Sequence, residues 1–328
     1  MSAPDRLQLF ALEATAEFGA EIARGLGLKA SRHEERTFED GEYKVRALEA
    51  VAGNDVYVVQ SLHGGPRLSA DDKLNRLLFF VAALKDAGAR RVTAVTPYLC
   101  YARKDRRTKW QDPVTLRYVA SLFEAVRTDA LLAMDVHNDA AFDNAFRCRS
   151  IGLKAEPLFV RYAKSLSAER LCVVSPDPGG VKRAELFREA LEKALGSAVT
   201  KGIVDKHRSE GKVSGDLFAG DVAGRTALIV DDLISSGGTL LRAARAVRAN
   251  GAQGVVAVAT HGLFMSGAAE ALSDPAIDRV VVTDCVPRFR IGEHPVRLKI
   301  DVIPSAALFA AAIARLHEDR GLDDLAVL

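Results

Sequence analysis

Short, nearly uninterrupted runs of hydrophobic residues alternate along the chain with segments whose apolar positions recur at helical spacing. Seven such runs predict buried β-strands, at residues 56–61, 92–99, 130–137, 171–177, 226–232, 255–262 and 280–285. Helical spacing is clearest in DDKLNRLLFFVAALKDAG (71–88) and GGVKRAELFREALEKALG (179–196). Strands that are apolar on both faces and separated by helices indicate parallel sheets covered on both sides, which is an α/β fold.

A unit of helix, glycine and strand occurs in both halves of the chain. ALKDAGARRVTAV (83–95) aligns with AVRANGAQGVVAV (246–258), which places Gly88 on Gly251, half a chain length apart. We therefore predict two similar α/β domains, residues 1–150 and 151–328, joined within 148–158. The last helical pattern, AALFAAAIARLHED, predicts a helix that can pack on either domain, and we expect it on the N-terminal domain.

Composition narrows the class of protein. The 328 residues are 48% hydrophobic and 27% charged, a balance typical of soluble globular proteins. The net charge of +2 gives no general excess for binding nucleic acid or an anionic membrane. Four cysteines without a CxxC pair fit neither a zinc site nor a disulfide framework, and the longest apolar run, LLFFVAAL, is far below the ~18 residues of a membrane span. With no signal-peptide pattern at its start, we expect a cytoplasmic protein that binds neither nucleic acid nor membrane.

The segment TALIVDDLISSGGTLL (226–241) combines two acids with a stretch suited to an anion. A strand that ends in small residues and opens a helix presents free backbone N–H groups and the positive end of the helix dipole. Carboxylates beside such a cradle, Asp231 and Asp232, make sense when the ligand also offers hydroxyl donors or a metal. A pentose phosphate meets both conditions. The alternative is an ordinary capped helix after a buried strand.

Seven blocks of the chain resemble, in the same order, those of the ribose-phosphate pyrophosphokinase (phosphoribosyl diphosphate synthetase) family. They are FEDGE (38–42), VVQS (58–61), PYLCYARKDRR (97–107), DVHND (135–139), VSPDPGGVKRA (174–184), VDKHR (204–208) and IVDDLISSGGT (229–239). The resemblance implies two tandem type I phosphoribosyltransferase-like domains, each a mainly parallel sheet flanked by helices. It also implies transfer of the β,γ-diphosphoryl group of MgATP to the 1-hydroxyl of ribose 5-phosphate, giving 5-phosphoribosyl 1-diphosphate and AMP.

The same resemblance assigns roles to residues at matching positions. The residues implied to bind ATP are Phe38, Asp40, Glu42, Arg103, Lys104, Asp105 and His137. The metal is Mg²⁺, with His137 and Asp177 as its candidate ligands, and Lys206 and Arg208 are the implied catalytic cations. The residues implied to hold ribose 5-phosphate are Asp231, Asp232, Ser235, Ser236, Gly237, Gly238 and Thr239.

Taken without the resemblance, each block has a plainer interpretation. FEDGE, whose alternation suggests the end of an extended segment, is then a solvated hairpin. The five basic residues of YARKDRRTK (101–109) are a solvated loop or a nucleic-acid patch. His137 is a structural histidine, Gly179–Gly180 a plain turn between strand and helix, and VDKHRS (204–209) a surface strand end before a polar stretch that we expect to be a flexible loop.

This chain departs from the family pattern at three places. Lys104 stands where glutamine is usual, AAFDNAF (140–146) replaces a glutamine-rich stretch, and Ser235 replaces a frequent aspartate. Two other functions stay open, a phosphoribosyltransferase that consumes the diphosphate and a non-catalytic regulatory relative. The resemblance also implies a homo-oligomer built from dimers, with a hexamer expected and a dimer or tetramer as alternatives, in which FEDGE reaches a neighbouring subunit's site.

Overall fold

Two compact units make up the computed structural model, which describes residues 6–166, 170–209, 212–322 and 325, with the backbone alone described at 206–209 and 212–216. Unit 1 contains the described residues of Met1–Lys154 and Ser305–Val327, and unit 2 those of Ala155–Pro304. Among the described residues, no helix combines the length and apolar character required to cross a membrane.

Unit 1 is built around a parallel sheet with a separate hairpin. Its elements are β1 (Leu7–Ala11), α1 (Ala16–Gly25), β2 (His33–Thr37), β3 (Tyr43–Ala47), β4 (Asp55–Val59), α2 (Ala70–Asp86), β5 (Arg91–Thr96), α3 (Thr115–Ala125), β6 (Ala130–Met134), α4 (Asp139–Ala145) and β7 (Arg149–Leu153). The strand order is β1-β4-β5-β6-β7, every pair is parallel, and β2 and β3 form an antiparallel ribbon. The described residues of Ser305–Val327, near the end of the chain, also belong to this unit.

Unit 2 has a larger sheet of the same kind. Its elements are α5 (Glu156–Ser165), β8 (Leu171–Ser175), α6 (Val181–Leu195), β9 (Thr200–Ser209), β10 (Lys212–Gly220), β11 (Thr226–Ile234), α7 (Gly238–Ala249), β12 (Gly254–Gly262), α8 (Ala268–Ser273), β13 (Arg279–Thr283) and β14 (Ile300–Ile303). The strand order is β10-β9-β8-β11-β12-β13-β14. Every neighbouring pair is parallel except β9 with β10, which is antiparallel.

The predicted parallel α/β fold is confirmed, and each of the seven predicted runs contains a strand. Several predicted strands extended too far. The runs at 92–99 and 130–137 leave the sheet after Thr96 and Met134, because Pro97 has no N–H to donate and Asp135 has a left-handed backbone (φ 40°). The residues beyond these strand ends therefore form loops at one edge of the sheet.

The polar stretch after VDKHRS was predicted wrongly as a flexible loop. Residues Lys212–Gly220 form β10, which pairs with β9 over most of its length. The ring of Phe218 lies over Gly202 of β9, where an added Cβ would come within 2.5 Å of it. This packing joins the returning strand to the core of unit 2, so the polar composition does not prevent strand formation.

The repeat seen in the sequence extends to individual hydrogen bonds. Gly88 and Gly251 both have left-handed backbones, with φ of 86° and 88°. The carbonyl of Gly88 accepts the N–H of Gly53, and that of Gly251 accepts the N–H of Gly224. The N–H groups of Val92 and Val255 donate to Asp129 and Asp278, each at 2.7 Å. These paired details indicate that the two units share one architecture.

The last helix, α9 (Ala306–His317), belongs to unit 1. It packs against α1, where the rings of Phe18 and Phe309 meet edge to face at 5.5 Å. Phe309 and its neighbours Ala312 and Ile313 are fully buried. An alanine-rich face allows the two helices to approach closely, so residues far apart in sequence complete this part of unit 1.

Close packing of α1 on β1 makes Gly19 hard to replace. A Cβ at Gly19 would lie 2.2 Å from the Cβ of Ala11. We expect Gly19→Ala to destabilise the protein by about 1–3 kcal/mol, despite the better helix propensity of alanine. Urea unfolding measures this, with Ala20→Gly on the exposed face of α1 as the control for propensity alone. A gain in stability for Gly19→Ala would contradict the packing argument.

Candidate active site

The turn from β11 into α7 has the geometry expected of an anion cradle, because a short stretch of small residues connects the strand to the first turn of the helix. Gly237 precedes the helix with a left-handed backbone (φ 78°), and a Cβ there would lie 3.1 Å from Ala271. Only glycine fits this conformation without strain. The N-cap residue of α7 is a glycine, so no N-cap side chain accepts a hydrogen bond from the first turn of the helix. The first N–H groups of a helix have no partner within the helix and are suited to an anion.

The two acids lie within β11, as the predicted run 226–232 placed them, and the strand continues two residues further to Ile234. Asp232 is buried and Asp231 is half-buried. The backbone N–H of Asp232 donates to Oδ1 of Asp231 at 2.9 Å, and the two carboxyl groups also interact through a side-chain hydrogen bond. One NH1 group of Arg183 in α6 lies 3.5 Å from Asp231 and 3.6 Å from Asp232.

The pKa of Asp231 is raised to about 7. Burial is the largest cause, followed by the hydrogen bond with Asp232 and the charge of that residue, while Arg183 acts in the opposite direction. Two carboxylates in one site resist ionising together. Near neutral pH the pair therefore holds a proton that a cation or a set of hydroxyl donors would displace.

Asp177 follows β8, the neighbour of β11 in the sheet, so it lies at the same edge as the acid pair. Its Oδ1 accepts the N–H groups of Gly179 and Gly180, at 2.9 and 3.2 Å. Ser175 Oγ donates to the carbonyl of Asp177 at 2.6 Å. Asp177 thus shapes the turn that starts α6 and places Arg183 two residues into that helix.

In unit 1, the loops after β5 and β6 bring two of the predicted nucleotide-binding segments together. Asn138 Nδ2 donates to Asp105 at 2.7 Å, and Asn138 Oδ1 caps α4 by accepting the N–H of Ala141 at 3.2 Å. His137 is exposed directly before this bridge, and Arg103 is exposed two residues before Asp105. Left-handed backbones at Tyr101 (φ 61°) and Asp135 (φ 40°) turn both loops away from the sheet.

FEDGE forms the turn between β2 and β3 and begins directly after the last residue of β2, so it lies at the end of an extended segment as its alternation indicated. The N–H of Gly41 donates to the carbonyl of Phe38, and the N–H of Glu42 donates to Asp40 Oδ1 at 3.0 Å. The guanidinium of Arg36 stacks on the Phe38 ring at 4.7 Å. The turn is exposed and leaves part of the Phe38 ring open to a ligand.

A buried carboxylate holds this turn on unit 1. Glu35 accepts hydrogen bonds from Tyr43 Oη at 2.7 Å and interacts with His33 Nε2 at 2.9 Å. The Arg76 guanidinium of α2 lies 4.1 Å from the centre of the Tyr43 ring. Burial raises the pKa of Glu35, but the bonds with His33 and Tyr43 outweigh it and keep the pKa below its ordinary value.

The predicted catalytic cations, Lys206 and Arg208, lie in β9. Their backbones pair with Asp216 and Val213 of β10. Their side chains fall outside the described part of the structure, so the catalytic assignment stays a prediction.

Comparisons with known proteins decide the family. Residues 7–126 match the N-terminal domain of ribose phosphate pyrophosphokinase, and residues 216–326 match the phosphoribosyl synthetase-associated domain. The chain is 37% identical over 323 residues to the ribose-phosphate pyrophosphokinase of Gloeobacter violaceus, covering 98% of this chain and 93% of that protein. It is also 37% identical to that of Caldanaerobacter subterraneus over 321 residues, 97% of each. The chain belongs to the ribose-phosphate pyrophosphokinase family.

A solved structure of the family supports the architecture. The phosphoribosylpyrophosphate synthetase from Mycobacterium smegmatis matches with a TM-score of 0.85 at 31% sequence identity, over 96% of this chain and 100% of that one. The prediction of two tandem type I phosphoribosyltransferase-like domains is thereby confirmed.

Two residues that contact the predicted site residues were not predicted from the sequence. Arg183 lies in the block VSPDPGGVKRA, but only the placement of α6 beside β11 shows that it contacts both acids. Asn138 lies in DVHND, and its bond to Asp105 depends on two loops that are separated by a strand and a helix. The signal available for Arg183 was its position in the first turn of a helix that follows a glycine pair, since helix N-termini are common sites of anion binding.

Mg²⁺ fits the residues present as an ion shared with substrate. Among the described residues no group of three or more His, Cys, Asp or Glu side chains forms a metal cage. Mg²⁺ in phosphoryl-transfer sites is commonly held by one or two carboxylates together with substrate phosphates and water. The raised pKa of Asp231 is the observation that favours a cation or hydroxyl donors beside this pair, and both carboxylates supply the oxygen ligands that Mg²⁺ prefers.

Proposed function

We propose that this protein is a ribose-phosphate diphosphokinase, which converts ribose 5-phosphate and ATP to 5-phosphoribosyl 1-diphosphate and AMP. The observation that carries the proposal is the β11–α7 segment, where a glycine-rich anion cradle directly follows a buried acid pair. A ligand with both a phosphate and free hydroxyls satisfies this segment, whereas a simple anion would be repelled by the acids.

In this proposal, the 5-phosphate binds the N–H groups and hydroxyls of the cradle, Ser235–Thr239. Asp231 and Asp232 accept hydrogen bonds from ribose hydroxyls, which orients the 1-hydroxyl, and Arg183 keeps the charge of the pair from becoming excessive. Asp177 keeps α6 and Arg183 in place. Positioning of this kind supplies most of the rate in phosphoryl transfer.

The nucleotide binds in unit 1. Phe38 stacks on the base and Asp40 and Glu42 accept from its amino edge, in a neighbouring copy of the chain. Arg103 and the exposed basic residues of the same loop neutralise the phosphates, with Asp105 held by Asn138. His137 in unit 1 and Asp177 in unit 2 would each be available to hold Mg²⁺, which would offset the charge of phosphate oxygens. We accordingly propose a cytoplasmic homo-oligomer built from dimers, a hexamer in its full form.

The transfer step forms one bond and breaks one. The 1-hydroxyl oxygen attacks the β-phosphorus while the bond from that phosphorus to the oxygen bridging the α-phosphorus breaks, so AMP leaves and the hydroxyl proton passes to solvent. Charge spreads over the transferring oxygens, and Lys206 and Arg208 stabilise it.

The test follows nucleotide products by chromatography after mixing purified protein with ribose 5-phosphate, ATP and Mg²⁺. We expect AMP that depends on the sugar phosphate, and a loss of about 10²-fold in turnover for Lys206→Ala because one cation leaves the transition state. Lys201→Ala is the matched control, since Lys201 lies in the same strand and pairs with Glu185 at 3.1 Å. ADP as product would indicate an ordinary kinase, and no product a non-catalytic relative.

A further inference from the structure

The basic loop (residues 101–114) is folded around a single carboxylate oxygen. Asp112 Oδ2 lies 2.8 Å from Lys104 Nζ and accepts the Thr108 hydroxyl at 2.6 Å. The same oxygen accepts the backbone N–H groups of Thr108 and Lys109, each at 3.0 Å. Four donors from three residues therefore converge on one atom and close residues 104–112 into a ring.

The backbone is arranged to deliver this carboxylate. Gln111 has a left-handed backbone (φ 66°), which reverses the chain immediately before Asp112. Two further hydrogen bonds close the loop: the backbone N–H of Leu116 donates to the carbonyl of Lys104, and the side-chain Nε of Arg107 donates to the carbonyl of Asp112 at 3.2 Å. Because a non-glycine residue adopts this conformation at a cost, the contacts of Asp112 have to offset it.

Closing the ring sorts the cations of the loop into two groups. Lys104 is half-buried and its charge is matched by Asp112, and Arg107 donates to the carbonyl of that residue, whereas Arg106 and Lys109 have exposed side chains. The ion pair lowers the pKa of Asp112, so the carboxylate stays ionised at neutral pH. A lysine bound in this way would have to break its ion pair before it could contact a phosphate, while the exposed cations need no such change.

We propose that the Lys104–Asp112 ion pair is a loop latch that preorganises the exposed cations for the polyphosphate of the nucleotide, and that Lys104 is a positioning residue rather than a phosphate ligand. The proposal rests on the function proposed above, and it revises the ATP-binding role expected of Lys104. Holding a loop in its bound shape lowers the entropy lost on binding, so the latch acts on nucleotide affinity more than on the chemical step.

The direction in which Asp112→Asn changes KM for ATP distinguishes the two possible roles of Lys104. If Lys104 is a latch, Asp112→Asn and Lys104→Ala each raise KM for ATP about three- to tenfold, because both open the same ring. The double variant is then no worse than the worse single variant. Were Lys104 a phosphate ligand, Asp112→Asn would free it and lower KM for ATP, and this result would overturn the proposal. In the latch variants kcat and KM for ribose 5-phosphate stay within about twofold of wild type.

A second measurement does not depend on turnover. Trp110 is the single tryptophan of the chain, lies inside the ring and is 91% exposed, so its fluorescence anisotropy reports the mobility of the loop. We expect lower anisotropy in both latch variants without ligand. Unchanged anisotropy in both would overturn the latch even if the enzyme makes AMP, whereas lower anisotropy in a protein that makes no AMP would remove the function and keep the latch.

The control is another ion pair of the same residue types in unit 1. Lys85 Nζ lies 2.8 Å from Asp129 Oδ2, at the amino end of β5 and β6 and thus at the opposite edge of the sheet from the basic loop. Lys85→Ala should leave both the Trp110 anisotropy and KM for ATP unchanged. An equal change in this variant would mean that loss of any such ion pair loosens unit 1, and the latch would be rejected.

Discussion

Replacing Asp232 by asparagine should nearly abolish activity and yet make the protein more stable. In the proposed mechanism, the acid pair accepts hydrogen bonds from ribose hydroxyls, and bonds to charged groups contribute about 1.5–3 kcal/mol each. Loss of the charge at Asp232, together with the misplacement of Asp231, should lower kcat/KM for ribose 5-phosphate by about 10³-fold. Steady-state kinetics with varied sugar phosphate measures this.

The gain in stability has an electrostatic cause. Asp231 and Asp232 repel each other, and the asparagine removes that repulsion while Arg183 keeps Asp231 as a partner at 3.5 Å. The burial of Asp231 is unchanged, so only part of its raised pKa is relieved, and we expect about 1–2 kcal/mol. Active sites are commonly less stable than their surroundings allow, because ligand binding rather than folding selects their charges.

The pH dependence of this gain follows from the pKa of Asp231. The folded protein keeps the proton of Asp231 up to about pH 7, whereas the unfolded chain releases it near the ordinary value of 3.8. Between these values the folded state binds more protons, so its stability falls as pH rises, and it is constant above pH 7. The advantage of Asp232→Asn should therefore be full at pH 8 and absent at pH 4.

The pH dependence of the kinetics should also report the titration of Asp231. In the wild type, kcat/KM for ribose 5-phosphate should rise with pH through about 7, as Asp231 loses its proton and becomes a better acceptor. In Asp232→Asn the residual activity should reach its plateau at lower pH, because the neighbouring charge that raised the pKa is gone. Glu270→Gln is the control, since it removes one exposed acid of α8 and should change neither property. A variant no more stable than wild type at pH 8 would contradict the repulsion.

The sheets could be predicted from the sequence because buried parallel strands are apolar on both faces. VVAVATHG and LCVVSPD carry this signal plainly, and each contains a strand of the sheet. The ribbon of β2 and β3 carries no such signal. HEERT and YKVRA are rich in charge, and they form strands because Val45 is buried against α2 and Glu35 has its own hydrogen-bond partners. Tertiary contacts, rather than local pattern, decide this ribbon.

The candidate site shows the same limit. The cradle and its acids were recognisable because strand, small residues and helix follow one another directly in the sequence. Arg183 lies 48 residues before Asp231, and its contact depends on how α6 packs beside β11. The family resemblance placed Lys104 among the residues implied to bind ATP. Its pairing with Asp112 depends on the reversal at Gln111, and no periodicity or composition encodes such a reversal.

Replacing Asp55 by asparagine should destabilise unit 1 by about 3–5 kcal/mol, because it breaks an ion pair whose carboxylate is fully buried and leaves the half-buried Arg91 without its main partner. Asp55 is fully buried at the start of β4, and Arg91 of β5 binds it through Nε at 2.7 Å and NH2 at 2.6 Å. His317 Nδ1 lies 2.8 Å from the same carboxylate, and Tyr57 Oη donates to it at 3.1 Å. The carboxylate thus joins two strands to the last turn of α9.

The pKa of Asp55 gives this prediction a pH range. Burial raises the pKa, but the hydrogen bonds of Arg91 and His317 outweigh it and hold the pKa below 3.8. The stability from the network is therefore present above the unfolded value near 4 and is lost as pH falls through the lower folded value. Urea unfolding at pH 7 and at pH 3 should show a large difference between wild type and Asp55→Asn at pH 7 and a smaller one at pH 3.

Asp319 supplies a matched control, because it binds the same arginine from the surface. Its Oδ1 lies 3.0 Å from Arg91 NH1, and its side chain is 75% exposed. Exposed ion pairs contribute about 0–1 kcal/mol, so Asp319→Asn should leave the urea midpoint almost unchanged. If the two variants were equally destabilised, the burial of Asp55 would not be the cause. If only Asp55→Asn is destabilised, the docking of α9 depends on a carboxylate that lies more than 250 residues away in the sequence.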